Sequence, residues 1–263
     1  MPRVAWATDL HLDHADAAAR ARFVDEASAA APDALLLAGD VGTASTIGGH
    51  LETLERALAC PIWLVLGNHD FYGSSIATVR AAMLARGGAA RWLPAAGVVS
   101  LSPTTALLGH DGWGDARCGD YWGSSVLLND FRFIEELAWL DRATLFPRLR
   151  ALGDEAARYF ARQLPAALER HERAIVVTHV PPFAEAAWHD GGMSDAEWLP
   201  YFACGAAGEA LLEVMTARPD REALVLCGHT HGAGELQPLP NLRVLTGGAE
   251  YGAPRLQGVL DVA

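Results

Sequence analysis

The chain of 263 residues contains no lysine, so its 20 basic residues are all arginine. That absence removes two mechanism classes. No Schiff base can form on a lysine, and no phosphate-binding loop can use one. With the abundance of alanine, it reads as the compositional bias of a GC-rich genome. Positive charge is scarce altogether: 32 acids against 20 bases leave a net charge of −12. A nucleic-acid polymer is therefore not expected as a partner, because phosphate backbones are held by clustered Lys and Arg. Cysteine is sparse too. Cys60, Cys118, Cys204 and Cys227 lie far apart and form no CxxC pair, which argues against a disulfide framework and against a structural zinc knuckle. They read as small buried hydrophobes. No run of about 18 apolar residues lacks a charge, so no transmembrane helix is expected. The start, Met1-Pro2-Arg3-Val4-Ala5-Trp6, has no long apolar stretch of the signal-peptide kind. A cytoplasmic protein that engages no membrane is the expectation.

What is present suits a large core. Half of the residues are hydrophobic, and the length fits a single domain over residues 1–263. Apolar runs at Val4–Thr8, Ala34–Ala38, Pro61–Leu66, Ala174–Thr178 and Ala223–Cys227 read as buried strands. Residues 98–101 and 106–108 read as paired strands about a Ser102-Pro103 turn, and Leu242–Thr246 and Gln257–Val262 as closing strands. Helical spacing runs over 15–31, with Ala19, Phe23 and Ala27 on one face, and over 46–59, 74–86 and 206–217. Strands alternating with helices imply parallel β-α-β units, whose binding groups gather where the strands end. The segment from about 110 to 165 breaks the pattern. It reads as a loop-and-helix insertion beside that site, with a helix near 154–164.

Five short pieces end in metal-ligand residue types, each just past a strand-like run: Asp9-Leu10-His11, Gly39-Asp40, Gly67-Asn68-His69-Asp70, His179, and Gly228-His229-Thr230-His231. Seven of these side chains would enclose two cations. Asp40, with two carboxylate oxygens, is assigned as the shared ligand. Asp9, His11 and His231 would complete one shell, and Asn68, His179 and His229 the other. Mixed imidazole and carboxylate shells favour transition metals over calcium. In an extended segment residues i and i+2 point the same way, so Asp9/His11 and His229/His231 would each present a pair. Two such ions lower the pKa of a bound water to roughly 7 and stabilise both oxygens of an in-line displacement. A hydroxide bridging the ions is the expected nucleophile. His69 is assigned as general acid, or as a donor to the transition-state phosphate, with Asp70 orienting its ring and raising its pKa. Each piece alone is weak, since an isolated Asp-x-His is more often a cap and Gly-Asn a tight turn.

Taken together and in this order, the five pieces resemble the calcineurin-like metallophosphoesterases, from residue 9 to residue 231. The resemblance implies a four-layer α/β/β/α sandwich of two mixed sheets flanked by helices. It implies two divalent or mixed-valence ions of Mn, Fe or Zn, with the ligand split given above. The phosphoprotein phosphatases of that superfamily carry Gly-Asp-x-Val-Asp-Arg-Gly, whereas Asp40 is followed here by Val41-Gly42-Thr43-Ala44. The lipid A pathway pyrophosphatases have arginine where this chain has His69. The bacterial phosphodiesterase-like branch matches best, and implies a small phosphodiester or nucleotide-like phosphomonoester as substrate. One alternative is a pyrophosphatase acting on a nucleotide-diphosphate conjugate, with Arg117, Arg132 and Arg142 serving the second phosphate. Another is a silent scaffold, which predicts missing ligands. His110 and Arg117 are further candidates for touching substrate. His14, His50, His171 and His189 read as surface residues. Trp113, Trp122, Trp139, Trp188 and Trp198 read mainly as packing residues with some capacity to stack on a ring.

Overall fold

Apolar strands that face neighbours on both sides form the centre of the molecule, seen in a computed structural model that describes residues 1–262. In chain order the elements are β1 (Arg3–Ala7), α1 (Ala17–Ala29), β2 (Ala34–Ala38), α2 (Ile47–Ala57), β3 (Ile62–Val65), α3 (Ile76–Ala85), β4 (Ala90–Trp92), α4 (Leu93–Ala96), β5 (Val99–Ser100) and β6 (Thr105–His110). There follow α5 (Asp130–Phe133), α6 (Arg142–Leu168), β7 (Arg173–Thr178), β8 (Trp188–His189), β9 (Gly192–Met193), α7 (Leu199–Phe202), α8 (Gly205–Thr216), β10 (Glu222–Cys227), β11 (Gly234–Leu239), β12 (Leu242–Thr246) and β13 (Gly258–Asp261).

Two mixed sheets result. One has the order β13-β1-β2-β3-β4 and the other β11-β12-β10-β7-β6-β5, while β8 and β9 form a separate hairpin. Pairing is parallel within β1 to β4 and within β6, β7, β10 and β12; β13, β11 and β5 add antiparallel edges. Side chains alternate across each strand, which makes the layers legible. Val4 and Trp6 of β1 meet Leu36 of β2 and Ile175 and Val177 of β7 between the sheets. Ala5 and Ala7 face outward to Phe23 of α1 and Leu51 and Leu54 of α2. On the far side Ala106, Leu108, Val176 and Val225 pack on Phe160 and Leu164 of α6 and Leu211 of α8. The architecture is the expected α/β/β/α sandwich. No helix among the described residues is long and apolar enough to cross a membrane.

The strands and helices from the apolar pattern fall within a residue or two of the observed ones, except in the suspected insertion. That segment divides in two. Residues 111–141 are mostly irregular and run beside the strand ends. Helix α6, by contrast, is 27 residues long and is a flanking layer of the second sheet. It starts at the Asp141 cap, whose carboxylate accepts from Thr144 N, far ahead of the expected 154. Pro147 and Pro165 lie inside it, and proline is a poor interior helix residue. The burial of Leu145, Leu149, Ala156, Phe160 and Leu164 along one face outweighs that penalty. The short β4, the β8–β9 hairpin and the edge strand β11 carry too few apolar residues to stand out in the sequence.

Candidate functional site

Beyond the ends of β1, β2 and β10 the chain turns sharply. Asp9, His11, Asp40, His229 and His231 all have positive φ, between 40° and 72°. Left-handed backbone is uncommon for non-glycine residues and clusters at functional sites. The extended i, i+2 geometry expected for Asp9/His11 and His229/His231 is therefore absent: both members of each pair occupy left-handed conformations. The turns are held by main-chain bonds between adjacent loops, Asp9 N to Gly39 O, His11 N to Asp40 O and Gly228 N to His179 O. Two glycines are needed for the close approach. A Cβ on Gly67 would strike the Asp40 carboxylate, and one on Gly228 would strike Thr8 Oγ1 and Asp9 Oδ2.

These turns bring the seven expected ligand residues together. Around Asn68, His179 Nε2 lies 3.1 Å and His229 Nδ1 lies 3.0 Å from Asn68 Oδ1. The other ring nitrogens face carbonyls, His179 Nδ1 to Ala38 O at 2.8 Å and His229 Nε2 to Tyr201 O at 3.1 Å. A carbonyl only accepts, so those two nitrogens carry hydrogen. Around Asp9, His231 Nε2 lies 3.5 Å from Asp9 Oδ1 and 3.1 Å from His11 Nε2. Asp40 stands between the two groups. Its Oδ2 is 3.4 Å from His179 Nε2 and 3.8 Å from His11 Nε2, while its Oδ1 accepts from His69 N.

The protonation pattern follows from burial and charge. Burial lowers the His229 imidazole to about 3, helped by the nearby His179. It lowers His11 to about 4, against the pull of Asp40 and Asp9. His179 goes the other way: despite burial, Asp40 raises it to about 10. Burial works against the Asp40 anion, yet His179 and His69 hold its pKa well below the ordinary value. Asp9 is lowered too, burial being outweighed by the His231 hydrogen bond and the charge of His179.

Whether cations fit here is decided at Asn68. Its Nδ2 donates to Asp130 Oδ1 at 2.8 Å and to Tyr72 Oη at 3.1 Å, and Tyr72 Oη donates to Asp130 Oδ1. That fixes the amide, so Oδ1 points at the histidines. Asn68 Oδ1 and His229 Nδ1 are then two acceptors at hydrogen-bond distance with no hydrogen to share. Buried acceptors are seldom left facing each other, and a cation resolves the conflict. Asp9/His11/His231 and Asp9/Asp40/His179 each offer donor atoms within 4.8 Å of one another, as does a third group, His11/Asp40/His69.

Several expected contacts are not made. Asp70 does not orient His69. It is fully buried and accepts from the amides of Asp40, Val41, Gly42 and Gly67. Burial and the Asp40 charge push its carboxyl up to about 8, and the amides pull it down. His110 lies on the wrong face. It shares the outward side of β6 with Ala106 and Leu108, lies 3.7 Å from Glu155, and packs on Tyr159 and Phe160 of α6. Arg117 is spent on Asp115 and Asp154, tying its loop to α6. None of Trp113, Trp122, Trp139, Trp188 and Trp198 lines the space above these ligands.

A cavity of about 240 Å³ opens over Asp40, Asn68 and His229, with His69, His189, His231, Tyr72, Asp130, Phe202 and Tyr251 among its walls. Tyr72, Asp130, Tyr251 and His189 were not foreseen. The Tyr251 ring lies 4.5 Å from that of His11 and 5.2 Å from that of His231. His189, far from being a plain surface residue, bonds Thr230 O through Nδ1. His171 is buried as well, against Ser100 Oγ. A larger cavity of about 350 Å³ opens at the opposite end of the sheets, by Thr105, Arg173 and Glu222, and contains none of the converging residues.

The family model described as calcineurin-like phosphoesterase matches residues 2–233 of the chain. No curated protein matches. Among solved structures, the phosphopantetheinyl hydrolase PptH of Mycobacterium tuberculosis aligns with a TM-score of 0.59 at 16% identity, covering 97% of this chain and 95% of that one. A dimetal phosphatase of Danio rerio aligns with a TM-score of 0.57 at 14% identity, covering 94% and 88%. At such identities the two likenesses speak for the fold.

Proposed function

We propose that this chain, which belongs to the calcineurin-like phosphoesterase family and is a metal-dependent phosphoesterase, hydrolyses a small phosphodiester or a nucleotide-like phosphomonoester. Asp9, His11 and His231 would hold one ion, Asn68, His179 and His229 the other, and Asp40 both. The observation that carries this reading is the pair of facing acceptors, Asn68 Oδ1 and His229 Nδ1. When bound, the two ions supply Lewis acidity toward a phosphoryl oxygen and a water ionised near neutral pH. Manganese, iron or zinc suit the mixed nitrogen and oxygen donors.

The chain's own residues do the rest. The Ala38 and Tyr201 carbonyls hold the His179 and His229 rings in one tautomer. Asp130 and Tyr72 hold the Asn68 amide. In hydrolysis the oxygen of water forms a bond to phosphorus while the bond to the leaving oxygen breaks. That oxygen would depart as an alcohol once it gains a proton, and we assign its donation to His69, which lines the cavity. The scaffold alternative predicts missing ligands, and all seven candidate side chains converge.

The test is hydrolysis of bis-p-nitrophenyl phosphate by metal-free protein reloaded separately with Mn, Fe, Zn, Ni and Co, beside Asp40→Ala. Metal content and turnover should fall together in the variant, turnover by about 10²-fold or more. Undiminished turnover in Asp40→Ala would refute the shared-ligand assignment.

A further inference from the structure

Beyond its histidines, the cavity offers an anion no cation of the protein's own. No arginine lines it among the described residues, and the chain has no lysine. The arginines expected to serve a second phosphate are engaged elsewhere or turned outward. Arg117 pairs with Asp115 and Asp154, and Arg142 donates to the carbonyls of Tyr121 and Ser124. Arg132 is exposed on the short α5 outside the cavity. The wall formed by residues 128–130 carries no positive charge: apolar Leu128, the neutral amide Asn129, then the acid Asp130, which is 3% exposed. Asp130 Oδ1 takes hydrogen bonds from Asn68 and Tyr72, while Oδ2 takes none from any described residue. The rings of Phe202 and Tyr251 also line the cavity.

Resting on the phosphoesterase reading above, we infer that the cavity selects an ester with one phosphate group and a leaving alcohol that is neutral or cationic. That alcohol carries a hydroxyl or amine to donate to Asp130 Oδ2, and a second phosphate is excluded. The physical reason is one of pairing. The phosphate at the ion pair is matched by the ions, but a second one would leave water to face an unmatched carboxylate oxygen and aromatic walls. A buried charge without a partner is strongly disfavoured, and a hydroxyl or amine satisfies the same oxygen. This sets the diphosphate-cleaving alternative below the single-phosphate one.

The experiment compares kcat/KM of the metal-loaded full chain on three substrates. These are bis-p-nitrophenyl phosphate, a glycerophosphodiester bearing an ethanolamine head, and a nucleoside diphosphate conjugate. The wild type should prefer the amine-bearing diester over the diphosphate by about 100-fold. Asp130→Asn should cut its preference for the amine-bearing diester over bis-p-nitrophenyl phosphate by roughly tenfold. Asn129→Arg, which adds a guanidinium to the wall, should narrow the gap to the diphosphate by roughly tenfold. Each readout is a ratio within one protein, so a general loss from disturbing Asn68 cancels. Equal or better cleavage of the diphosphate by the wild type overturns the inference alone. So do ratios that neither substitution moves. Turnover of none of the three, with any metal, sinks the phosphoesterase reading and this inference with it.

Discussion

His69 lies inside the cavity, its ring 4.3 Å from that of Tyr72 and 4.6 Å from that of His11. It belongs to neither proposed ligand set, although it falls within reach of Asp40 and His11. The acid role therefore makes a prediction that a ligand role does not. His69→Ala should retain two metals per chain by elemental analysis. Its turnover should fall by about 10² to 10⁴-fold on esters of poorly acidic alcohols, and less on p-nitrophenyl esters, which leave without help. A fall in metal content would make His69 a ligand instead. An equal loss across leaving groups would remove the acid role. Side chains of this kind were readable from their motifs because each follows an apolar strand. Asp130 and Tyr72 were not, since nothing local in the sequence ties Asp130 to Asn68, 62 positions away. His110 was misread for a definable reason. Ending β6 at Leu108 hid the alternation Ala106, Leu108, His110, which puts the imidazole on the α6 side.

Among the elements, the Asp70 side chain makes four of the bonds that tie together the loops after β2 and β3. It takes amides from the Asp40-Val41-Gly42 turn and from Gly67, so one carboxylate helps set the positions of both Asp40 and Asn68. Asp111 does related work on the neighbouring strands: its carboxylate accepts from Leu66 N and Trp92 Nε1, and its carbonyl from His179 N. Removing such an acceptor leaves several buried N–H groups unmatched, at about 1–3 kcal/mol each. Asp70→Ala should therefore lose about 3 kcal/mol or more in urea denaturation and bind metal weakly even when folded. A loss under about 1 kcal/mol, with metal affinity intact, would show that the turns hold their shape without it. The apolar strands and amphipathic helices were legible because their periodicities are physical. The left-handed turns at Asp9 and His229 were not, because any non-glycine residue can be forced there by the tertiary contacts of its neighbours. Helix α6 was legible only in its second half, since Pro147 masks the first.

For the molecule as a whole, the net charge of −12 and the recognition of an anion are compatible only through the site. Charges more than about 8 Å apart in solvent are largely screened, so cations held at the strand ends would govern contact. The fold delivers five loops, from β1, β2, β3, β7 and β10, to one edge of two packed sheets. Anomalous diffraction from crystals soaked in manganese tests that convergence most directly. Two peaks about 3.5–4 Å apart are expected, one touching Asp9, His11 and His231, the other Asn68, His179 and His229, with the Asp40 carboxylate on both. A single peak, or two peaks that do not share Asp40, would contradict it.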